Sequence, residues 1–419
     1  MSKELQPSVQ GVIDAAATLQ NVVDLSPLQR SEFLSGLFEA EVFLKREDLQ
    51  AVRSYKLRGA FNFLSNITDE QKQNGVVCAS AGNHAQGFAF SCDKLNIKGT
   101  VFMPTTTPKQ KVRQVSYIGK ESIDIVLHGD TYDDAKEYAL AFCEKHNKTF
   151  VSPFDHPLII EGQGTVGKEI LDQCGNEPPD FVFAPIGGGG LSAGCCLYIK
   201  SKNSNVQIIG AEPKGAPAMY ESFRKGSVVR LDKIDNFVDG AAVREVGQYT
   251  FEILKRLLDD IILVPEGRIC TYILEMYDRA AIVAEPAGVL SIAALVDYKE
   301  KIKGKKVVCI LSGGNNDISR MPLIKEKSLL FEGLKHYFVI TFPQRAGALK
   351  EFVNEVLGPT DDITLFEYTK KNTKEAGPAL VGIEIGKKED YQPLLDRMTK
   401  YGIDFKILND DPTLFNFLV

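Results

Sequence analysis

Four consecutive glycines at residues 187–190 form the segment of the sequence best suited to hold an anion. They follow an apolar run at 181–184, which reads as a strand, and precede a helical pattern at 193–200. Backbone N–H groups can converge in such a loop, and the helix N-terminus adds positive potential, which predicts a phosphate site. The alternative is an unliganded turn, which is disfavoured because ordering each glycine costs roughly 1 kcal/mol more than ordering an alanine.

The kind of phosphate ligand is less well defined by this loop. No Gly-Lys-Ser/Thr follows it, which excludes a nucleoside-triphosphate P-loop. The spacing Gly188-x-Gly190-x-x-Ala193, with Glu212 at the end of the next predicted strand, matches a dinucleotide fingerprint. Because any run of four glycines satisfies the first half of that fingerprint, a dinucleotide stays open only as an alternative.

A second loop, at residues 78–87, carries polar groups suited to a carboxylate or a phenolate oxygen. It lies between a predicted strand and a predicted helix, and Ser80 and Asn83 offer a hydroxyl and an amide beside exposed N–H groups. The alternative is a simple helix start capped by Ser80 or Asn83. His84, taken alone, reads more readily as a structural histidine than as a catalytic one.

A serine and a lysine complete the set of residues that could do chemistry. Ser312 lies in Ser312-Gly313-Gly314-Asn315 after a predicted strand, where ligands of open α/β sheets collect, although a plain turn would look the same. Lys56 lies at a predicted helix start, where a positive charge is unfavourable, so a neutral amine or an imine is easier to accommodate there. On its own, Lys56 would be taken for a surface lysine.

The elements that must position these residues alternate between strands and helices. Buried parallel strands are predicted at 75–79, 99–103, 123–127, 181–184, 207–210 and 306–311, with helices such as 131–146 between them, which predicts an α/β fold. Residues 315–327 are polar and irregular and are predicted to be a linker. Beyond it, strands at 337–342, 363–368, 380–385 and 405–408 and helices at 346–357 and 391–401 give the βαββαβ order of a ferredoxin-like module.

The composition is that of a globular protein of two or three domains. Hydrophobic residues make up 44% and charged residues 25% of 419 residues, and the net charge of −6 includes no basic block, which argues against nucleic acid and membrane surfaces as partners. No membrane span or secretory signal is recognisable. Eight cysteines without regular spacing fit reduced thiols in the cytoplasm, and the five histidines lack the spacing of a zinc site.

Six segments in this order make the chain similar to the fold-type-II pyridoxal-phosphate enzymes, and among them to the threonine dehydratase family. The segments lie at 45–50, 54–60, 79–87, 187–191, 283–288 and 312–315 and read KREDLQ, SYKLRGA, ASAGNHAQG, GGGGL, VAEPAG and SGGN. The resemblance spans essentially the whole chain. It implies a tryptophan synthase β-like catalytic domain at 1–328, made of two open parallel-sheet subdomains with the smaller at about 55–150, and a single ACT-like α+β domain at 329–419.

The resemblance also implies a role for each residue that could do chemistry. Lys56 would be the catalytic lysine that forms a Schiff base with pyridoxal 5'-phosphate, with Tyr55 and Gly240 against the two faces of the ring. Asn83 would bind the ring hydroxyl oxygen and Ser312 the pyridine nitrogen. The cofactor phosphate would be bound by Gly187, Gly188, Gly189, Gly190 and Leu191. The substrate carboxylate would be bound by Ser80, Asn83 and His84. Relatives usually carry Phe at the position of Tyr55, a difference that keeps stacking possible.

The activity implied by the resemblance is deamination of L-threonine to 2-oxobutanoate and ammonia by β-elimination of water, with L-serine as a second substrate. This reaction would feed isoleucine synthesis, with isoleucine or valine as an effector bound by the C-terminal domain, and the enzyme would be a homo-oligomer, either a tetramer or a dimer. Ala81 stands where serine racemase has a serine that acts as an acid and base, so elimination should dominate over racemisation. Glu212 and the Ala216 carbonyl match a cation site of relatives, but Ala218 replaces its aspartate, and no metal is predicted.

Two other functions stay open at this point. A nicotinamide-dependent dehydrogenase would explain the dinucleotide fingerprint but would leave Lys56 and Ser312 without a role. A non-enzymatic amino-acid sensor would use the C-terminal module as its binding part and would bind isoleucine without turning over threonine or serine.

Overall fold

The β-branched runs of the sequence form the strands of three sheets in a computed structural model, which describes residues 6–368 and 375–418. The chain forms two compact units, Met1–Ile318 and Ser319–Val419. The first unit alternates strands and helices around parallel sheets, and the second has an antiparallel sheet. The α/β fold class and the α+β C-terminal module predicted from the sequence are therefore confirmed.

The larger sheet of the first unit contains β1 (Leu28–Arg30), β2 (Glu41–Arg46), β7 (Phe181–Pro185), β8 (Gln207–Pro213), β9 (Asp260–Val264) and β10 (Lys306–Leu311). Their order is β1-β2-β10-β7-β8-β9. β1 runs antiparallel to β2, and the other neighbours pair in parallel. Val307 in β10 lies opposite both Val42 and Phe181, and such doubly covered strands read as continuous apolar runs.

The smaller sheet contains β3 (Val76–Ala79), β4 (Gly99–Met103), β5 (Ile123–Leu127) and β6 (Thr149–Phe150), all parallel, in the order β5-β4-β3-β6. The strands predicted at 99–103, 123–127 and 306–311 are confirmed at both ends. β8 continues to Pro213, beyond the predicted end at residue 210, because the carboxyl end of the strand stays paired with β9.

Helices cover both sheets, and three of them begin at the loops that carry candidate site residues: α3 at Lys56, α5 at Asn83 and α9 at Gly190. Among the described residues, no helix is both long and apolar enough to cross a membrane. The helices of this unit are α1 (Val9–Leu19), α2 (Glu32–Phe38), α3 (Lys56–Ser65), α4 (Asp69–Asn74), α5 (Asn83–Leu95), α6 (Lys109–Gly119), α7 (Tyr132–His146), α8 (Pro157–Cys174), α9 (Gly190–Lys202), α10 (Ala218–Lys225), α11 (Gln248–Leu257), α12 (Glu266–Ala280), α13 (Leu290–Ala293) and α14 (Leu295–Ile302).

A buried group of charges, here called the Arg58 cluster (Lys45, Glu47, Arg58 and Glu169), joins β2, α3 and α8. The guanidinium of Arg58 lies 2.8 Å from Glu47 Oε2 and 2.6 Å from Glu169 Oε1, and Lys45 Nζ lies 2.6 Å from Glu169 Oε2. The side chains of Arg58 and Glu47 are fully buried. Although burial alone would raise it, the guanidinium holds the pKa of the Glu47 carboxyl below its ordinary value. The first turn of α3 is thereby attached to the larger sheet.

The second unit has the predicted βαββαβ order: β11 (Lys335–Pro343), α16 (Ala348–Glu355), β12 (Asp362–Tyr368), β13 (Ala376–Glu384), α17 (Tyr391–Lys400) and β14 (Asp404–Ile407). The strand order β12-β13-β11-β14 is antiparallel throughout. This arrangement is the ferredoxin-like split βαβ fold. Phe338, Phe352 and Met398 lie in its core.

Helices α15 (Met321–Glu332) and α18 (Pro412–Leu418) flank this core. The predicted linker at 315–327 is wrong in its second half, because α15 starts at Met321. Pro322 is compatible with the first turn of a helix, where its missing N–H has no intrahelical acceptor. The buried Ile324 and the left-handed Gly333, which ends the helix, complete an element that the polar composition concealed.

Candidate active site

Lys56 is the first residue of α3, and its amine donates a hydrogen bond to the carbonyl oxygen of Pro153 at 2.9 Å. The Tyr55 ring centre lies 5.4 Å from Nζ, and the Tyr55 N–H donates to Ser312 O, which ties this start of α3 to the end of β10. Burial lowers the pKa of the Lys56 ammonium to about 8, and the Glu285 carboxylate opposes that shift. The free amine is therefore a usable base and nucleophile close to neutral pH.

The glycine loop lies between β7 and α9, as the sequence predicted. Gly189 has a φ of +92°, a left-handed conformation that glycine adopts without strain. The first N–H groups of α9 have no acceptor within the helix, and the helix dipole makes this end positive. Leu191 buries its side chain in the core, so its main-chain N–H is the group that it offers to a ligand. A Cβ at Gly188 would overlap with the Phe154 ring, which places this loop against the segment that binds Lys56.

The loop before α5 presents both main-chain and side-chain groups. Ser80 Oγ accepts a hydrogen bond from Gly82 N at 3.2 Å, and Asn83 is the first residue of the helix. The buried His84 imidazole instead hydrogen-bonds through Nε2 with the Val151 carbonyl, at 3.0 Å. Burial, with Lys56 adding to it, lowers the pKa of His84 to about 3. The imidazole is therefore neutral and oriented towards the main chain, so the N–H at the helix start is what His84 offers to an anion.

A further wall of the site is formed by Gly240, by the carboxyl end of β10 and by the segment before α13. A Cβ at Gly240 would lie 2.9 Å from Ala287 Cβ and 3.9 Å from Asn83 Nδ2, and the neighbouring Ala241 packs against Gly187. Ser312 is 3% exposed, and its hydroxyl donates to Ala287 O at 3.2 Å. The predicted residues 55, 56, 83, 187–191, 240 and 312 are therefore brought together around one site, through Pro153, Phe154 and Ala287.

Glu285 lies in this site although the sequence reading assigned it no role. Its Oε1 accepts a hydrogen bond from Asn83 Nδ2 at 2.5 Å. Burial, and then the charge of Asp239, raises the pKa of Glu285 to about 7, while the Asn83 hydrogen bond, Lys111 and Lys56 act against the rise. The sequence contains a signal that could have identified Glu285, because it is the one charged residue between Arg279 and Asp297. An acid in such an apolar run is buried only where it has a partner.

Glu212, which would bind a ligand in both the dinucleotide fingerprint and the cation site, accepts hydrogen bonds from the main chain. Its side chain is fully buried, and its two carboxylate oxygens accept hydrogen bonds from the N–H groups of Met219 and Tyr220 at 2.7 and 2.9 Å. Burial raises its pKa to about 8. These two main-chain donors bind Glu212 to the start of α10. Among the described residues, no group of three or more His, Cys, Asp or Glu side chains is placed to hold a metal ion.

Comparison with protein families gives two adjacent matches. The model described as "Pyridoxal-phosphate dependent enzyme" matches residues 20–313. The model described as "C-terminal regulatory domain of Threonine dehydratase" matches residues 326–418.

The biosynthetic L-threonine dehydratase of Halalkalibacterium halodurans is 56% identical over 411 residues, which cover 98% of this chain and 99% of that protein. The protein of the same description from Bacillus subtilis is also 56% identical, with 98% and 97% covered.

Two solved structures resemble most of this chain. The processed form of threonine deaminase isoform 2 from Solanum lycopersicum superposes with a TM-score of 0.72 at 39% identity, covering 78% of this chain and 96% of that chain. Maize serine racemase gives a TM-score of 0.72 at 28% identity, covering 78% and 98%.

Proposed function

The chain belongs to the biosynthetic threonine dehydratase family of pyridoxal-phosphate dependent enzymes, and we therefore propose that it converts L-threonine to 2-oxobutanoate and ammonia, with L-serine as a second substrate. The observation that carries the proposal is the position of Lys56, whose weakly basic amine lies beside the anion-binding glycine loop and the polar start of α5. Overall, one C–O bond and one C–N bond of the substrate are cleaved, and the water released by the elimination is used again when ammonia leaves.

The residues around Lys56 fit pyridoxal phosphate in both charge and shape. The N–H groups of residues 187–191 and the positive end of α9 suit its dianionic phosphate. The Asn83 amide suits the ring oxygen, and the Ser312 hydroxyl suits the ring nitrogen once it rotates away from Ala287 O. Tyr55 and Gly240 would lie beside the ring faces. Gly187 and Gly188 leave no room for side chains, because a Cβ on either would meet Ala241 or Phe154, so the loop is exposed to a ligand through its main chain.

When bound, pyridoxal phosphate supplies an electron-withdrawing ring that acidifies the Cα–H bond of the amino acid. Lys56 would hold the cofactor and, once released as a free amine, would remove the proton from Cα. Ser312 is neutral, so it would not keep the ring nitrogen protonated, and this would favour departure of the β-hydroxyl.

The substrate carboxylate is assigned to Ser80 and to the N–H groups at the start of α5, including those of Asn83 and His84. The helix dipole stabilises a negative charge at that position. Neutral His84 does not compete with Lys56 as an acid or base. The methyl group of Ala81 cannot donate a proton to Cα, so the product is the keto acid rather than the D-amino acid.

A direct assay tests this function. The protein saturated with pyridoxal phosphate should release keto acid and ammonia in equal amounts from L-threonine, and more slowly from L-serine. Addition of nicotinamide cofactors should change nothing. Cofactor bound at full occupancy without release of keto acid from either amino acid would contradict the proposal and would favour an amino-acid sensor.

Substitution of Gly188 by alanine is expected to weaken pyridoxal-phosphate binding by about 10- to 100-fold, because overpacking against the Phe154 ring costs about 1–3 kcal/mol and displaces the loop. The dissociation constant can be measured by titrating the cofactor-free protein and following visible absorbance. Gly36→Ala is the matched control: Gly36 lies in α2 with no atom near a new Cβ, and alanine there should leave binding unchanged while raising stability slightly. Equal affinity in both variants would argue against the phosphate loop.

The C-terminal unit is assigned the binding of an aliphatic amino-acid effector, isoleucine or valine. A cavity of about 290 Å³ in this unit is lined by residues that include Phe342, Phe366 and Tyr368, together with the N-terminus of α16 and with Arg345, which pairs with Glu351. Aromatic faces suit a branched apolar side chain, and a cation with a helix N-terminus suits a carboxylate.

Tyr368→Ala is expected to raise the isoleucine concentration needed for half-maximal inhibition by about tenfold or more, because loss of an aromatic contact costs about 1.5–3 kcal/mol. Threonine turnover without effector should be unchanged. Tyr401→Ala is the matched control, since Tyr401 is similarly exposed and lies outside the cavity lining. Identical inhibition curves for wild type and Tyr368→Ala would place the effector elsewhere.

The assembly and location of the enzyme complete the proposal. A homo-oligomer, tetramer or dimer, is inferred from the resemblance to threonine dehydratases and is tested by light scattering. A cytoplasmic location is supported by the eight cysteines, which are all unpaired, seven of them buried.

A further inference from the structure

We propose that Asn315 is a positioning residue for the reaction: it fixes the amide of Asn83 with its nitrogen towards Glu285 and the ring oxygen of the cofactor. The inference rests on the proposed function, because it concerns how the site presents itself to pyridoxal phosphate. It assigns a role to the last residue of the Ser312–Asn315 segment and to Glu285, which the mechanism above leaves unused.

The argument starts from a group whose polarity is fixed. The carbonyl oxygen of Val52 can only accept, and it lies 2.9 Å from one side-chain atom of Asn315, which must therefore be the nitrogen Nδ2. The same nitrogen lies 2.7 Å from the Asn83 side-chain amide. Because both hydrogens of Asn315 Nδ2 are then donated, the Asn83 atom that it contacts must be the oxygen Oδ1.

The other end of this hydrogen-bond chain does not fix the amide by itself. With Oδ1 bound to Asn315, Asn83 presents its nitrogen to Glu285 Oε1 at 2.5 Å. Because the pKa of Glu285 is raised to about 7, its carboxyl is ionised only in part near neutral pH and could pair with either end of the amide. One hydrogen of Asn83 Nδ2 is used there, and one remains for the ring oxygen of the cofactor. Without Asn315, either end of the Asn83 amide could face the site, and an amide oxygen would repel a phenolate.

The glycines around Glu285 leave room for its side chain. A Cβ at Gly313 would overlap with the Glu285 carboxylate, and a Cβ at Gly240 would lie 3.8 Å from Oε1. The N–H of Glu285 also donates to Gly313 O. The glycine at 313 therefore leaves room for the acid that accepts from Asn83.

Two substitutions of Asn315 test the inference. An ionised aspartate cannot donate to Val52 O or to Asn83 Oδ1, so Asn315→Asp favours the Asn83 amide with its nitrogen and oxygen exchanged. Asn315→Ala removes the donor without favouring either orientation of the Asn83 amide. We expect the dissociation constant of pyridoxal phosphate to rise by about 10- to 100-fold in Asn315→Asp and by less in Asn315→Ala, since a hydrogen bond to a charged oxygen is worth about 1.5–3 kcal/mol. The midpoint pH of the colour change of the bound cofactor should rise as well, because a donor stabilises the negative ring oxygen.

The matched control is Asn62→Asp. Asn62 is 2% exposed, and its Nδ2 also donates to a main-chain carbonyl, that of Leu158, at 2.7 Å. This variant should lower the melting temperature without changing the affinity or the midpoint pH. Unchanged affinity and midpoint pH in both Asn315 variants would overturn the inference, as would the same changes in Asn62→Asp. Failure of the wild-type protein to bind the cofactor would instead overturn the proposed function.

Discussion

Lys56→Ala is expected to lose the Schiff-base absorbance band of the bound cofactor and to lower keto-acid release from threonine by about 10³-fold or more. Both proposed roles of the amine, attachment of the cofactor and removal of the Cα proton, disappear with it. Non-covalent binding of pyridoxal phosphate should persist, because the phosphate loop is untouched. Absorbance spectra, equilibrium dialysis and turnover measure the three effects separately.

Lys94→Ala is the control for this experiment, because Lys94 is an exposed lysine of α5 that lies over the Phe90 ring. It should retain both the spectrum and the turnover of the wild type. Borohydride reduction of the wild-type protein followed by peptide mass spectrometry should place the cofactor on Lys56. A modified peptide containing another lysine, or a retained Schiff-base band in Lys56→Ala, would contradict the assignment.

Arg58→Ala is expected to destabilise the first unit by about 3–5 kcal/mol, because it leaves the buried Glu47 without its guanidinium partner. Glu47→Ala in the same chain should recover part of the loss, since the remaining Glu169 still pairs with Lys45. Urea unfolding followed by circular dichroism gives the midpoints from which the two variants are compared.

Arg224→Ala is the control for the Arg58 experiment. Arg224 pairs with Glu221 on the surface, with a side chain 66% exposed, and its loss should change the free energy of unfolding by no more than about 0.5 kcal/mol. If Arg58→Ala behaved like this surface variant, the cluster would not hold the start of α3. If the double variant were less stable than Arg58→Ala alone, the unpaired Glu47 would not be the cause.

The parts of the site that could be predicted from sequence are those in which a residue and its neighbours in the chain already define the chemistry. The glycine loop follows a strand and precedes a helix within about a dozen residues, so it is visible without knowledge of the fold. Lys56, Asn83 and Ser312 are ambiguous one at a time, and their roles were predicted only from the order of the six segments that resemble the family. The parallel strands were recognisable because burial on both faces leaves continuous apolar runs.

The parts that could not be predicted depend on contacts between distant residues. Asn83 is separated from Glu285 by 202 positions and from Asn315 by 232, and no local spacing encodes these pairs. The direction of the His84 side chain is decided by the Val151 carbonyl, which only the fold brings near. Helix α15 was missed for a different reason, because its first turns follow the polar residues 315–320 directly and its charged residues 325–327 lie next to one another.

The segment at Pro153 and Phe154 has a mechanical consequence. Pro153 accepts the hydrogen bond of the Lys56 amine, and the Phe154 ring limits the space above Gly188. Two adjacent residues of the stretch between β6 and α8 therefore set the distance from the base to the phosphate anchor. A substitution that shifts this stretch would therefore displace the contact of the Lys56 amine and the wall of the phosphate loop together.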